Sequence, residues 1–362
     1  MQHRRRPSLR GFSLRPSRHV GDRVGEHHRI EGFLGQGGTA DVFLARDERT
    51  SELVVIKRLN EKSATVPELR QRFLLEAQAL ASIQHPAVVR VLGIEEPENE
   101  APWLWLEALK GESLGDYLKR KEHIDPELGL RLVRETAHAL EAVHAAGIVH
   151  RDIKPDNLFL VGPIDDPEHV KVLDFGMARM PDEDHDENST SILGTAQYMA
   201  PEQILVEPVD ARTDVYALGV VLFRVVTGHL PFDAHNSGDL LRHQLFSPIP
   251  PPSWLAEDLP AGLEEVVLRA TRKNPRHRYV SMREFGSALD SVVGFVSRPV
   301  QEEELLSRPD VWEPEPASVP VPDVYKPVTE RGRVAARVLA KEFGIYALHG
   351  VPSPGPASRS EP

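Results

Sequence analysis

Cysteine is absent from the 362-residue chain, which excludes disulfide staples and thiolate metal sites and leaves a reducing compartment open to it. Long apolar runs are missing as well. The stretch from Tyr216 to Phe223 falls far short of the ~18 residues expected of a membrane span. Acids are lacking at the start: residues 1–20 carry Arg4, Arg5, Arg6, Arg10, Arg15 and Arg18 and no carboxylate. With no apolar core among those arginines the stretch is no secretory signal. Residues 1–27 are expected to be a disordered basic leader. Their alternative use is as a docking arm for an acidic partner, or as a basic-directed phosphorylation site at Ser8. The net charge of −12 argues against a protein that binds nucleic acid over its whole surface. These absences together predict a cytoplasmic protein.

A hydrophobic content of 40% with 27% charged residues describes a globular chain, long enough for two or three domains or for one large domain with tails. The densest chemistry lies in His150-Arg151-Asp152-Ile153-Lys154-Pro155-Asp156-Asn157, between an apolar helical pattern and the strand-like Leu158-Phe159-Leu160. Buried charge is costly unless it is paired or holds an ion, so such a run is either a solvated turn or a working site. Asp152 and Asn157, five apart, can present a base and a metal-ligating oxygen, with Lys154 between them. A second metal-binding acid after the next strand would point to phosphoryl transfer, and Asp174 in Leu173-Asp174-Phe175-Gly176 meets that condition.

Upstream, Ile30 and Leu34 lead through Gly35-Gln36-Gly37-Gly38-Thr39-Ala40 into Val42-Phe43-Leu44, which predicts a hairpin whose glycine-rich turn lets backbone approach phosphate. An apolar strand, Leu53 to Ile56, ends in Lys57. Pro67 opens a helix running to about Ser82, with Leu69, Phe73, Ala77 and Leu80 as its apolar stripe. Glu76 lies on that stripe and is either a solvated edge position or a carboxylate that needs a cation, for which Lys57 is the natural candidate. Strands are expected at Val88–Ile94 and Trp103–Leu109. Helical patterns follow at Glu127–Ala146, with Gly147 as its stop, at Asp214–Val226, ended by Gly228, and near 261–273 and 281–295. A hairpin between Leu158–Val161 and Val170–Leu173 would bring Asn157 close to Asp174. Past Ser297 proline rises sharply, so 296–362 reads as a tail. It contains one amphipathic helical stripe near 329–348, on Val334, Ala335, Val338, Leu339 and Phe343, suited to docking a partner protein or the chain's own globular part.

Gly35-Gln36-Gly37, Val54-Val55-Ile56-Lys57, Glu76, His150-Arg151-Asp152 through Asn157, Asp174-Phe175-Gly176 and Ala200-Pro201-Glu202 stand in the order and spacing of protein kinases. The chain resembles most the bacterial eukaryotic-type (Hanks-type) serine/threonine kinases, whose wording Gly194-Thr195-Ala196-Gln197-Tyr198-Met199-Ala200-Pro201-Glu202 closely matches. The resemblance covers 28–295. It implies an α+β, bilobal protein-kinase-like fold, with a β-rich N-lobe, an α-helical C-lobe and an ATP cleft between them.

It also implies a non-specific serine/threonine protein kinase acting on protein substrates, with ATP and Mg²⁺ or Mn²⁺ as cofactors. By resemblance, Leu34, Gly35, Gln36, Gly37, Gly38, Val42, Val55, Lys57, Glu107, Leu109 and Phe159 line the nucleotide site, with Leu106 behind it. Lys57 neutralises phosphate and Glu76 holds Lys57. Asn157 and Asp174 take the metal, Asp152 is the base, and Lys154 and Thr195 support transfer. Arg151 would meet a phosphate on Ser189, Thr190 or Ser191. His150, Phe175, Leu80 and Val91 would stack as an apolar column tied to Asp214, and Glu202 would pair with Arg278 as a buried structural ion pair. Two positions depart from the family pattern: Ala40 replaces the third loop glycine, and Val55 replaces the alanine expected over adenine. Neither removes a catalytic group. The competing readings are a nucleotide-binding pseudokinase scaffold and a small-molecule kinase of related fold. The intact Lys57, Asp152, Asn157 and Asp174 stand against the first, and the segment ending in Ala200-Pro201-Glu202 against the second.

Overall fold

A computed structural model of the chain describes residues 19–296, apart from 99, 122–123, 164–165, 176–195, 233, 235 and 257–258, together with Thr329 and Val334. Ser8, Gly176, the hydroxyls at 189–191, Thr195 and most of the expected tail helix lie outside the described residues. By contacts, the chain divides into two units: 1–122, 135–151 and 155–183 form the first, and 123–134, 152–154 and 184–362 the second.

The first unit holds a six-stranded sheet made of β1 (Arg23–Val24), β2 (His28–Gln36), β3 (Ala40–Asp47), β4 (Leu53–Leu59), β5 (Val91–Glu95) and β6 (Trp103–Glu107), in the order β1-β2-β3-β4-β6-β5. Its pairings are all antiparallel. Period-two alternation explains which face is which. Val54 and Ile56 of β4 are buried, and pack with Val24, Ile30, Phe43, Ala45 and Trp103 into one apolar cluster. Val55 and Lys57 therefore point to the other face. The register puts Leu44 and Leu106 beside Val55, and Val42 and Leu104 beside Lys57.

Helix α1 (Glu61–Ala64) and helix α2 (Pro67–Ala81) follow β4, and proline stands at the first position of α2 as expected. The buried residues of α2 are Leu69, Phe73, Ala77 and Leu80, the stripe read from the sequence. A second sheet pairs β7 (Gly111–Ser113) with β8 (Leu158–Val161), and β8 with β9 (His169–Val172). Gly111 has φ 148°, and a Cβ there would lie 1.8 Å from the Leu160 carbonyl oxygen, so only glycine lets β7 approach β8 so closely. Helix α3 (Leu114–Lys121), which the sequence reading passed over, buries Leu114, Tyr117 and Leu118 at helical spacing. Helix α4 (Pro126–Ala145) contributes its first half to the second unit and its second half to the first.

The second unit is helical: α5 (Pro201–Ile204), α6 (Ala211–Thr227), α7 (Ser237–Phe246), α8 (Leu263–Ala270) and α9 (Met282–Val296). Helix α6 is buried nearly all round, with Asp210 capping its first turn and Gly228, at φ 76°, ending it. Asn236 caps α7, a second helix that the sequence reading did not pick out. No helix among the described residues is long and apolar enough to cross a membrane.

Candidate active site

The glycine-rich turn is the hairpin between β2 and β3, closed by the Gly37 N–H donating to the Ala40 carbonyl at 2.8 Å. None of its glycines has a positive φ, so left-handed backbone does not explain them. Space does: a Cβ at Gly35 or Gly38 would meet nothing within 4 Å, which leaves open approach to the backbone on that side. Asn60, unnoticed in the sequence, ties the hairpin down. Its amide nitrogen donates to the Gly38 carbonyl at 2.8 Å and its backbone N–H to Thr39 at 2.9 Å, while its side-chain oxygen caps α1.

Lys57 lies on the sheet face that also carries Val42 and Val55. Its Nζ donates to Asp174 Oδ1 at 3.0 Å, joining residues 117 apart in sequence. The lysine side chain is 11% exposed and the aspartate 53%. Asp174 has φ 49°, a left-handed conformation that costs a non-glycine residue free energy and tends to occur where geometry serves function. The expected Lys57–Glu76 pair is not formed. Glu76 instead accepts from Arg72 Nε at 3.0 Å, one turn earlier on α2. An i,i+4 arginine reaches a carboxylate on its own helix without needing the sheet, and Lys57 is left to Asp174.

The β8–β9 hairpin has the form expected of it. The Leu173 N–H donates to the Asn157 carbonyl at 2.9 Å, which sets the metal-ligand candidates Asn157 and Asp174 at the same end of that hairpin. Both offer hard oxygens, a donor set that fits a divalent ion which takes few protein ligands and keeps several waters. Behind Asp174, His150 Nε2 is 2.8 Å from the Leu173 carbonyl, and its ring lies 4.8 Å from that of Phe175. His150, Phe175 and Leu80 are buried and Val91 is half-buried. Arg151, next to His150, has φ 66°.

Glu107, placed at the adenine edge by the sequence reading, does more than that reading gave it. Its N–H donates to the Arg90 carbonyl at 3.0 Å, so that donor is already used. Its carboxylate accepts from the Arg90 N–H at 2.8 Å and from Lys171 Nζ at 2.5 Å. Lys171 lies on β9, opposite Phe159. Only the three-dimensional pairing of β8 with β9 reveals it, since a lone lysine in a strand carries no signal. Leu34 and Phe159 are half-buried.

In the second unit, Asp152 and Lys154 form an ion pair at 3.2 Å, with side chains 10% and 15% exposed. Farther along, Arg278 Nη1 and Nη2 meet Glu202 Oε1 and Oε2 at 2.7 and 2.8 Å, the two side chains being 0% and 2% exposed. The three remaining guanidinium donors go to the carbonyls of Arg272, Arg212 and Lys273. Thr213 Oγ1 adds a donor to Glu202 at 2.9 Å. The expected Glu202–Arg278 pair is thus present with all five arginine N–H groups satisfied. Asp214 is fully buried, one residue along from Thr213. Beside the pair, buried Lys273 donates to the Tyr216 hydroxyl at 3.0 Å and to the His243 carbonyl at 3.3 Å. Burial, and then the Arg278 charge, hold Lys273 well below the usual lysine value.

Comparison with known proteins agrees with this geometry. The protein kinase domain family matches residues 28–282. The serine/threonine-protein kinase Pkn1 of Myxococcus xanthus is 40% identical over 272 residues, which is 75% of this chain and 38% of that protein. PknB of Mycobacterium tuberculosis is 38% identical over 277 residues, 75% of this chain and 43% of its own. The chain therefore spans about two fifths of the length of these two relatives. Among solved structures, the kinase domain of M. tuberculosis PknI superposes with a TM-score of 0.58 at 25% identity, covering 75% of this chain and 98% of that one. With the glycine hairpin, the strand lysine, the loop aspartate and the aspartate after β9 all in the family's order, the chain belongs to the protein kinase domain family.

Proposed function

We propose that the chain is an ATP-dependent serine/threonine protein kinase, transferring the γ-phosphoryl group to hydroxyls of protein substrates in the cytoplasm. The observation that carries this reading is the Lys57–Asp174 contact, which joins the cation of the sheet face to the acid after β9 in the unit that holds the glycine hairpin. Phosphoryl transfer asks the protein mainly for positioning and charge neutralisation. Lys57 exchanges Asp174 for the α- and β-phosphates, and Glu76 exchanges Arg72 for Lys57. Val42, Val55, Leu34 and Phe159 enclose adenine, with main-chain contacts at Glu107 and Leu109. The backbone of Gly35, Gln36, Gly37 and Gly38 approaches the phosphates. Asn157 and Asp174 hold Mg²⁺, with Mn²⁺ as a substitute. The ion, when bound, spreads the negative charge of the transferring group. Asp152 accepts the proton of the substrate hydroxyl as its oxygen bonds to γ-phosphorus and the bond to the β-phosphate oxygen breaks, releasing ADP. Lys154 steadies the transferring group, and Thr195 supports the same catalytic loop from the substrate side.

The same chemistry turned on the chain itself would label Ser189, Thr190 or Ser191, giving Arg151 a phosphate partner. The adjacent run Asp182-Glu183-Asp184 and Asp186-Glu187 would either mimic such a phosphate weakly or repel a real one. The test is transfer from radiolabelled ATP with magnesium to the full chain and to casein. Wild type is expected to label both, and Asp152→Ala to lose about 10²–10⁴-fold. A wild-type protein that binds ATP but labels nothing would leave only the scaffold reading. Phosphopeptide mapping of the active protein without phosphate at 189–191 would remove the autophosphorylation step alone.

A further inference from the structure

We infer that the C-terminal segment docks in cis on the helical unit, with the Glu207 carboxylate as its anchor and the Thr329 backbone amide as the group it holds. Thr329 N–H donates to Glu207 Oε1 at 2.9 Å, across 122 residues of chain. Glu207 is a built anchor. It is 5% exposed, and its own N–H donates to the Glu202 carbonyl at 2.8 Å. The preceding Val206 has φ 54°, an unusual conformation for a β-branched residue, which fixes the turn after α5.

Charge favours the same partner. Residues 329–341 carry Arg331, Arg333, Arg337 and Lys341 against the single acid Glu330, on a chain whose net charge is −12. Val334, five residues past the contact, is 48% exposed. The anchor is also one hydrogen bond from Glu202, the partner of Arg278. Docking therefore bears on the turn that closes the segment running up to Ala200-Pro201-Glu202.

Hydrogen exchange of the full chain over residues 330–341 tests the docking. Thr329→Pro removes the amide donor and nothing from the kinase fold, so protection there should fall about tenfold or more, as for loss of a bond to a charged acceptor. Thr329→Ala keeps the amide and should lose much less. Glu207→Ala should match Thr329→Pro, and if it fails to fold, the proline variant alone decides. Raised ionic strength should lower protection in wild type and leave Thr329→Pro unchanged. Equal exchange in wild type and Thr329→Pro would overturn the proposal.

Discussion

Two ion pairs in this protein are opposites. Glu202–Arg278 is buried on both sides, forked, and has every guanidinium donor satisfied. Lys57–Asp174 is a single contact to a carboxylate half in solvent, on a residue with left-handed backbone. The first cannot exchange partners without stranding a buried charge. The second can, at small cost, because water and other cations reach Asp174. A pair buried on both sides marks the scaffold, and a pair with a half-exposed carboxylate next to strained backbone marks the part that works.

The sharpest way to break this contrast is to cut each pair and read both activity and stability. Asp174→Ala should abolish phosphate transfer, by at least about 10²-fold, while costing far less stability than cutting the fully buried pair, since its carboxylate is half-exposed. Arg278→Lys should do the reverse. Lysine cannot fork onto Glu202 or reach three carbonyls, so about 3–5 kcal/mol of stability should be lost in denaturant titration. A stable Arg278→Lys protein would erase the distinction.

A smaller effect sharpens the working half. If Arg72 withholds Glu76 from Lys57, Arg72→Ala should raise kcat by about twofold at most, since an i,i+4 pair is worth only about 0.3–0.5 kcal/mol. Unchanged or lower kcat would mean that Arg72 does not compete.

A pH effect concerns Lys273 on the scaffold side. Its folded-state pKa is depressed by burial and by Arg278. Between that value and 10.5 the unfolded chain holds a proton that the folded one does not, so stability rises with pH through this window and falls as pH drops. Two acceptors, the Tyr216 hydroxyl and the His243 carbonyl, suit the two N–H groups of a neutral amine. Denaturant titration at pH 7 and pH 9.5 should show wild type gaining more stability over the interval than Lys273→Met. Parallel gains would contradict a depressed lysine.

The contrast also explains what could be read from residues alone. The β-hairpins, the α2 stripe, the Gly228 stop and the Glu202–Arg278 pair were legible because alternation, helical spacing and motif order each dictate one answer. The partner of Lys57 was not. Two carboxylates were open to it, and a local i,i+4 arginine on α2 decided between them. Asn60, Lys171 and Lys273 escaped because their meaning lies in the carbonyls and carboxylates that distant strands and helices bring to them. Helix α3 and helix α7 carried legible signals, an i,i+3,i+4 apolar set and an Asn cap, that short flanking turns obscured.

The most direct test is the shift in melting temperature on adding magnesium and ATP, measured for wild type, Asp174→Asn and Arg278→Lys. A ligand at 100 times its Kd stabilises by about 2.7 kcal/mol. Wild type should show that upward shift, Asp174→Asn should lose most of it from an unchanged starting temperature, and Arg278→Lys should start lower and keep it. An undiminished shift in Asp174→Asn would contradict the assignment of Asp174 to the nucleotide's metal.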